Sequence, residues 1–457
     1  METKDAAGTT DAIATMVDSE TKDATSVKDA KEVGDASETI DGTDIEDTAE
    51  GEPGESLGYD EEGGMDMPNR LLVIWKNLAV GGIVAGWRNR AAALSRHGIR
   101  THFLFFHDRG GRSLLKGVAP YAIVKDEKEA ARRIRNRKYG CIVVIDSRQA
   151  FSLVAASGYR GPLVVESRVS VADYVGRELR EMAGLRPTCI VAASAYQKSL
   201  VSGILRNTPA VKVIPNTVDT RRFRPLPASR VPADITPPRA KGKKIIVWIG
   251  RVSREKNWEL FLEVAKATAK RRDDVFFWLI GGGVNRKEMR KLRRQIRKMD
   301  LSKRYFSWRR EMFPYRQMPK VYAAVAQSGG ALLSTSSHES FGNVFIEAMA
   351  CGCPVVAPKH TAIPEIIEDD RTGLLYRPGD RRHAMRQLRK IMDRKEKRER
   401  LIREALQDVR QKYGIRGKYT RMYVDLIRKL MTAKTAAVSE IGKTGENGDV
   451  PLLLTEE

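Results

Sequence analysis

Two glutamates in HESFGNVFIEAMACGCPVV (residues 338–356) are candidates for binding hydroxyl groups. Glu347 is the one charged residue in an apolar run, residues 344–351. Such a run predicts a buried segment, where a carboxylate costs several kcal/mol unless its oxygens are satisfied. A pair of vicinal hydroxyls would satisfy both oxygens; the alternative is a buried ion pair with an arginine. Glu339 lies eight residues upstream.

Two cations follow another apolar stretch, in IGRVSREKN (residues 249–257). Gly250 lets the backbone turn after a predicted strand, and Arg251 and Lys256 place positive charge beyond the end of that strand. Two cations at this position suit a diphosphate. The alternative is an ordinary solvated turn.

A second feature of the phosphate-binding kind precedes Glu347. The small-residue loop SFGN (340–343) leads into a helix predicted to begin near Asn343. The free N–H groups and the dipole of a helix N-terminus favour an anion. Glu347 then lies about one turn inside the helix, within reach of a ribose attached to the phosphate. Glu339 would meet the hydroxyls of a sugar at the other end, so the pair brackets a nucleotide sugar.

These residues must be positioned by two series of alternating strands and helices. RLLVIW (70–75) opens the first series and KKIIVWIG (243–250) opens the second. Continuous apolar strands such as CIVVI (141–145) predict parallel sheets covered on both faces. We therefore expect an α/β protein with two doubly wound, Rossmann-like domains and a ligand cleft between them.

Changes in composition set the expected boundaries. Five prolines make residues 218–242 a linker, because proline at that density extends neither helices nor central strands. We expect the following segments: a disordered acidic tail (1–66), a first Rossmann-like domain (67–217), the linker (218–242), a second Rossmann-like domain (243–405), helices that pack back on the first domain (406–431) and a disordered tail (432–457).

Charge is divided unevenly along the chain. Residues 1–66 have a net charge of −17, whereas residues 67–457 carry 77 basic and 37 acidic residues, a net charge of +40. The acidic segment holds one aromatic residue, which predicts disorder. The basic remainder suits nucleotide phosphates, anionic lipid headgroups or nucleic acid, or is merely a solvated surface.

The sequence also favours a cytoplasmic protein. The first residues lack the features of a signal peptide, and no apolar run approaches the roughly 18 residues of a membrane span. The four cysteines are too scattered for a disulfide framework or a zinc site, so we expect reduced, buried thiols.

The stretch from residue 338 to 380 resembles the nucleotide-sugar site of family-four retaining glycosyltransferases of the GT-B fold. The family's two glutamates, seven residues apart, match Glu339 and Glu347, and its Gly-Arg…Lys diphosphate motif matches Arg251 and Lys256. VIPNTVDTRRFRP (213–225) resembles the family's interdomain hinge, and VGG (80–82) its amino-terminal glycine loop. The likeness covers residues 70 to about 430 and is specific from 245 to 380.

The resemblance implies a metal-independent hexosyltransferase that uses a nucleoside-diphosphate sugar and no cofactor. It implies that Glu347 holds the ribose, Glu339 the donor sugar, and Arg251 with Lys256 the departing diphosphate. The first domain would take the acceptor and the second the donor. Catalytic roles fall to Arg251, Lys256 and Glu339. Donor-binding roles fall to Gly81, Gly82, Gly250, Ser340, Phe341, Gly342, Asn343, Val344 and Glu347.

The sequence departs from the family in its first domain. Where members often carry a histidine beside the donor sugar, LVVESRVSVADY has Glu166 and Arg168. Two other functions stay open: a GT-B enzyme with different chemistry, such as a sugar-nucleotide epimerase or a phosphorylase, and a basic nucleic-acid-binding protein. The site carboxylates argue against nucleic acid, because they would repel a phosphate backbone.

The expected partners are a nucleotide sugar and a glycan or lipid-linked acceptor, and no nucleic acid. The charge division adds the hypothesis that the basic first domain docks on an anionic membrane surface, on the inner face of the membrane.

Overall fold

The computed structural model describes residues 69–444, except 206–208, 284 and 302–303, and only the backbone of 433–444. Within this part the chain forms two parallel β-sheets in one compact unit. The predicted disorder of residues 1–66, and of the part of the predicted tail 432–457 that follows residue 444, lies outside the described residues.

The first sheet has seven strands in the order β3-β2-β1-β4-β5-β6-β7, and every neighbouring pair is parallel. Its strands are β1 (Arg70–Ala79), β2 (Arg100–Arg109), β3 (Tyr121–Ile123), β4 (Cys141–Ile145), β5 (Leu163–Ser167), β6 (Cys189–Ala192) and β7 (Val211–Val213). Successive residues of β1 belong to different cores: Leu71 packs on one face of the sheet and Leu72 on the other. Burial of both faces explains why these strands are continuously apolar.

Six helices cover this sheet. They are α1 (Gly82–Ser95), α2 (Arg112–Leu115), α3 (Glu127–Asn136), α4 (Arg148–Ala156), α5 (Ala172–Leu179) and α6 (Ala195–Ile204). Three of them begin at a side-chain cap: Asp126 caps α3, Ser147 caps α4 and Ser194 caps α6. A capping oxygen accepts a hydrogen bond from an otherwise unpaired N–H of the first turn, which fixes where the helix starts.

The second sheet has six parallel strands in the order β10-β9-β8-β11-β12-β13. Its strands are β8 (Lys244–Ile249), β9 (Val275–Ile280), β10 (Phe306–Arg309), β11 (Ala331–Leu333), β12 (Val355–Pro358) and β13 (Leu374–Tyr376). Its helices are α7 (Trp258–Ala269), α8 (Arg286–Lys298), α9 (Met318–Gln327), α10 (Asn343–Ala350), α11 (Ile363–Ile366), α12 (Arg381–Asp393) and α13 (Lys395–Asp408). The prediction of two doubly wound domains is confirmed.

The proline-rich segment between the sheets is packed rather than free. Three short 3-10 turns lie in it, and Phe223, Ile235 and Ala240 are buried in a core of the second domain. Because these side chains are buried there, the segment is held against the second domain.

The chain returns to the first domain at its end. Helix α14 (Lys418–Thr444) buries Tyr423, Val424 and Ile427 in the same core as Trp87 of α1. The helix runs on to Thr444, past residue 431, where the sequence analysis places the end of the helices and the start of a disordered tail. The residues beyond 431 (TAKTAAVSEIGKT) include three alanines, the best helix former.

Candidate active site

Two loops meet at the carboxyl ends of β8 and β11, which are neighbours in the second sheet. The indole Nε1 of Trp248 donates to Thr335 Oγ1 at 3.0 Å, and that hydroxyl donates to the carbonyl of Lys256 at 3.0 Å. The N–H of Ser337 donates to the carbonyl of Glu255 at 2.8 Å. These bonds fix the cation-bearing loop against the loop that leads to Glu339.

Lys256 and Glu339 form an ion pair in this corner. The Nζ–Oε1 distance is 2.5 Å, and both side chains are largely buried. Charge-assisted hydrogen bonds of this length are among the stronger ones in proteins. The structure therefore joins two of the three predicted catalytic residues directly, and each fixes the position of the other.

Arg251 lies on the same loop but reaches outward. Its side chain is 68 % exposed, and Nη2 lies 3.9 Å from Glu255 Oε1. Gly250, just before it, is approached closely by Gly281 at the end of β9: a Cβ on Gly281 would lie 1.8 Å from the carbonyl oxygen of Gly250. This close approach, together with φ +148° at Gly281, requires glycine there.

Helix α10 begins beside this loop with its N-terminus uncapped. Gly342 adopts a left-handed conformation with φ +100°, and no side chain caps the helix. Phe341 is buried just before the turn, which anchors the loop, and Ser340 and Val344 are half-buried. The first N–H groups of α10 therefore have no capping side chain, a typical arrangement for binding an anion.

Asn343, the first residue of α10, joins the two domains. Its Nδ2 donates to the carbonyl of Gly82 at 2.7 Å, and its Oδ1 accepts from Asn216 Nδ2 at 2.9 Å. Gly81 and Gly82 form the start of α1 in the first domain. The structure thus brings the predicted glycine loop to the N-terminus of the helix that carries Glu347.

A buried charge network holds Asn216 from the other side. Asn216 Oδ1 accepts from Arg168 Nη1 at 2.9 Å, and Arg168 Nη2 lies 2.6 Å from Glu166. Glu166 also accepts from Arg90 at 2.8 Å and from the indole of Trp87 at 3.0 Å. Burial acts to raise the pKa of Glu166, but Arg168 and Arg90 outweigh it and hold that pKa below its usual value.

Glu347 is buried, and its hydrogen-bonding partner is a phenol. Tyr322 of α9 donates its hydroxyl to Oε2 at 3.0 Å. In the described part of the chain no lysine or arginine forms an ion pair with Glu347, which removes the ion-pair alternative there. Burial raises the pKa of Glu347 to about 8, and the bond from Tyr322 opposes that rise only in part.

Two further contacts between the domains had no signal that we recognised in the sequence. Ser194 Oγ donates to the carbonyl of Ser340 at 2.8 Å. The carboxylate of Glu365 accepts from the N–H groups of Ala195 and Tyr196, at 2.6 and 2.8 Å, and so caps α6 from the opposite domain. Glu365 lies within residues 338–380, the stretch that resembles the family's nucleotide-sugar site, but the resemblance assigns it no role.

Among the described residues, no group of three or more His, Cys, Asp or Glu side chains is placed to hold a metal ion. Within the same ranges, no helix has the length and apolar character needed to cross a bilayer. The four cysteines are buried thiols.

The sequence of the second domain matches a known family. Residues 234–408 match the model of the family described as "Glycosyl transferases group 1". This range contains the loop with Arg251 and Lys256, both glutamates and all of α10.

Curated relatives agree with this match. The chain is 25% identical over 245 residues to the sulfoquinovosyl transferase SQD2 of Arabidopsis thaliana, covering 51% of this chain and 43% of that protein. It is 26% identical over 203 residues to the GDP-mannose-dependent alpha-(1-6)-phosphatidylinositol monomannoside mannosyltransferase of Mycobacterium tuberculosis, covering 44% of this chain and 51% of that protein. The chain thus spans about half the length of these relatives.

Solved structures match over a longer range. The structure of Anabaena Alr3699/HepE in complex with UDP and glucose superimposes with a TM-score of 0.67 at 18% identity, over 78% of this chain and 99% of that one. At this identity the structural match supports a shared fold and nothing more. Together with the match of residues 234–408 to the glycosyltransferase family, it supports a family-four-like glycosyltransferase with the GT-B fold.

Proposed function

We propose that the protein transfers a sugar from a nucleoside-diphosphate sugar to a glycan or lipid-linked acceptor, with retention of anomeric configuration and without a metal ion. The observation that carries the proposal is the convergence of the uncapped N-terminus of α10, the Lys256–Glu339 pair and the buried Glu347 at one edge of the second sheet.

The donor would lie along α10. Its diphosphate would meet the N–H groups near Gly342 and Asn343, together with Lys256 and Arg251. The ribose would donate its two hydroxyls to Glu347, and the transferred sugar would donate to Glu339. That Anabaena Alr3699/HepE was solved with UDP and glucose supports a donor of this class.

The reaction would depend on stabilising the leaving group. As the bond between the anomeric carbon and the diphosphate oxygen breaks, negative charge grows on the diphosphate beside Lys256 and Arg251. Removing one preorganised donor of this kind costs on the order of 3 kcal/mol of barrier. The acceptor oxygen would form its bond to the anomeric carbon on the face that the diphosphate leaves, and its proton would pass to the departing diphosphate oxygen.

The acceptor side would be the first domain, whose glycine loop reaches α10 through Asn343. A lipid acceptor is supported by the relative whose name gives a phosphatidylinositol monomannoside. We propose a cytoplasmic protein that meets such an acceptor at the membrane surface.

A thermal-shift screen with UDP, GDP and ADP tests the proposal first, because a ligand that prefers the folded state raises the melting temperature. We expect one of them to raise Tm, and the matching sugar nucleotide to yield a glycosylated acceptor in the presence of EDTA. A chain that binds none of the three nucleotides, or that acts only with added metal, would contradict the proposal. Conversion of the sugar nucleotide to an epimer would favour the rival chemistry.

A further inference from the structure

Helix α8 presents a dense positive face to solvent. Eight of its thirteen residues are basic, and all eight are exposed. They are Arg286, Lys287, Arg290, Lys291, Arg293, Arg294, Arg297 and Lys298. At about 1.5 Å of rise per residue the row is roughly 18 Å long.

The basic residues are confined to one side of α8. At about 100° per residue they fall within an arc of roughly 160°. The opposite side holds the buried Leu292 and the partly buried Met289, Ile296 and Met299, which pack on the core of the second domain. The apolar face is therefore already covered, and the positive face is what α8 offers to a partner.

Almost none of this charge is balanced nearby. In the described part of the chain, Lys291 is the one basic residue of α8 that forms an ion pair, with Glu259 at 2.7 Å. Glu288, the single acidic residue of α8, is buried against the indole of Trp258. Five pairs of like charges stand at (i, i+4) along the helix, for example Arg286 with Arg290, and such pairs destabilise it.

A neighbouring charged helix shows the contrasting arrangement. Helix α13 has five basic and four acidic residues, and Lys395, Lys397 and Arg400 form ion pairs. Lys397 and Arg400 both reach Asp370, at 2.6 and 3.1 Å. The balanced charge of α13 is thus not repeated on α8.

The position of α8 links it to the candidate active site. The helix follows β9, whose terminal loop approaches Gly250 closely and accepts, at the carbonyl of Gly282, a hydrogen bond from Val252 at 2.8 Å. The helix precedes the edge strand β10 in the chain, where Arg309 and the following Arg310 are also exposed. The positive face therefore begins next to the loop that carries Arg251.

We propose that α8 docks on the anionic headgroups of a lipid bilayer and so holds the cleft beside an acceptor carried in that bilayer. The proposal rests on the proposed function. This docking surface lies on the second domain, whereas the sequence analysis predicts one on the first domain. In the first domain, Arg133 of α3 bonds Glu129 and Arg135 bonds the carbonyls of Ser157 and Ala156, so these arginines have partners.

A bilayer fits this face better than nucleic acid does. The exposed residues of α8 are all Lys or Arg. The partly exposed ones are Gln295 and apolar side chains, and none is aromatic. Proteins that bind single strands interleave aromatic side chains with the charge. A broad row of point charges suits a plane of headgroups, where each Lys or Arg near the surface adds to the affinity.

The test is co-sedimentation of the full chain with phosphatidylcholine vesicles that contain or lack phosphatidylglycerol. Replacing Arg286, Arg290, Arg293 and Arg297 by Gln should weaken binding to the anionic vesicles by at least about tenfold. The same positions replaced by Lys should keep it. As a matched control, replacing Lys395, Lys397, Arg400 and Arg403 of α13 by Gln removes the same charge and should weaken binding far less.

Three results would overturn the proposal: no binding of the wild type to anionic vesicles at low salt, equal losses in the α8 and α13 variants, or an α8 loss seen only with duplex RNA. The Tm rise with a nucleoside diphosphate is measured on every variant. If that rise persists while vesicle binding is absent, the docking surface is refuted and the proposed function stands. If the wild type shows no Tm rise with a nucleoside diphosphate, the proposed function itself is refuted.

Discussion

At the scale of single residues, the proton on Glu347 is the feature with most consequence. Its carboxyl is buried with a single phenol as partner, so its pKa is raised to about 8 and the group is mainly neutral at pH 7. An ionised carboxylate accepts from two ribose hydroxyls more strongly than the protonated acid, one oxygen of which carries the proton. Donor binding would therefore release this proton.

We expect the affinity for the sugar nucleotide to fall as the pH is lowered from about 8.5 to 6.5, approaching tenfold per pH unit at the acid end. Calorimetric titration across this range measures it. Glu347→Gln should bind more weakly, by a few kcal/mol at most, and its affinity should not vary with pH. A pH-independent wild type would mean that Glu347 does not ionise on binding.

The same residue should make the free energy of unfolding depend on pH in the opposite direction: donor affinity should rise with pH, whereas stability should fall. Between pH 4.5 and about 8 the folded protein holds a proton on Glu347 that the unfolded chain has lost, so this residue makes the protein less stable as the pH rises through that window. Urea unfolding at several pH values should show a shallower decline in Glu347→Gln. An equally steep decline in the variant would assign the effect to other groups.

Arg251 and Lys256 should act mainly in the transition state. Substitution of either by Ala should lower kcat by about a hundredfold, corresponding to roughly 3 kcal/mol, with a smaller rise in the donor KM. Steady-state kinetics with the preferred donor measures both constants. A change confined to KM would mean that the two cations bind the donor in the ground state and do not act specifically in the transition state.

Lys256→Ala also leaves the carboxylate of Glu339 without its partner. The matched comparison is therefore a double-mutant cycle with Glu339→Gln. If the kcat loss of Lys256→Ala disappears in the Glu339→Gln background, Lys256 positions Glu339 rather than stabilising the diphosphate.

At the scale of elements, the sequence predicts the sheets better than it predicts the contacts between them. Continuous apolar strands such as Cys141–Ile145 are visible in the sequence because both their faces are buried. The roles assigned to Glu339 and Glu347 rest on a local motif. Asn216 and Asn343 are 127 positions apart in the sequence, and no local sequence pattern predicts the hydrogen bond between their amides.

These amides give a prediction about the alignment of the two domains. Asn216→Ala or Asn343→Ala should lower kcat/KM by about tenfold to a hundredfold, because the glycine loop is no longer fixed to α10 and a small misplacement is costly. Thermal unfolding should change little. Asn136→Ala, at the exposed end of α3, is the control. Unchanged kinetics in both variants would show that the bridge between the domains is not needed for catalysis.

At the scale of the whole molecule, helix α14 completes the first domain although it lies at the far end of the described chain. The ring of Tyr423 lies 5.6 Å from that of Trp87 and 4.3 Å from the guanidinium of Arg90. Periodicity in KYTRMYVDLIRKLM predicts a helix with an apolar face.

Tyr423→Ala should therefore destabilise the protein by about 3–5 kcal/mol through the cavity that it leaves. Denaturant unfolding followed by tryptophan fluorescence measures this loss, since Trp87 lines the cavity. The exposed neighbour Met422 provides the control: Met422→Ala should stay within about 0.5 kcal/mol of the wild type. Equal losses in both variants would mean that α14 is only loosely packed.

The return of α14 also makes the second domain an insertion within the first. The chain crosses between the domains twice, and the crossings touch: the N–H of Val218 donates to the carbonyl of Tyr413 at 2.8 Å, beside a bridge to Gly414. A fragment of residues 214–414 keeps all its strands, whereas a fragment ending at residue 213 lacks the helix that closes its core. We expect the first fragment to fold alone and the second to fold only when α14 is supplied as a separate peptide. The inserted domain should therefore be an independent folding unit, whereas the domain that contains it should depend on the C-terminal helix.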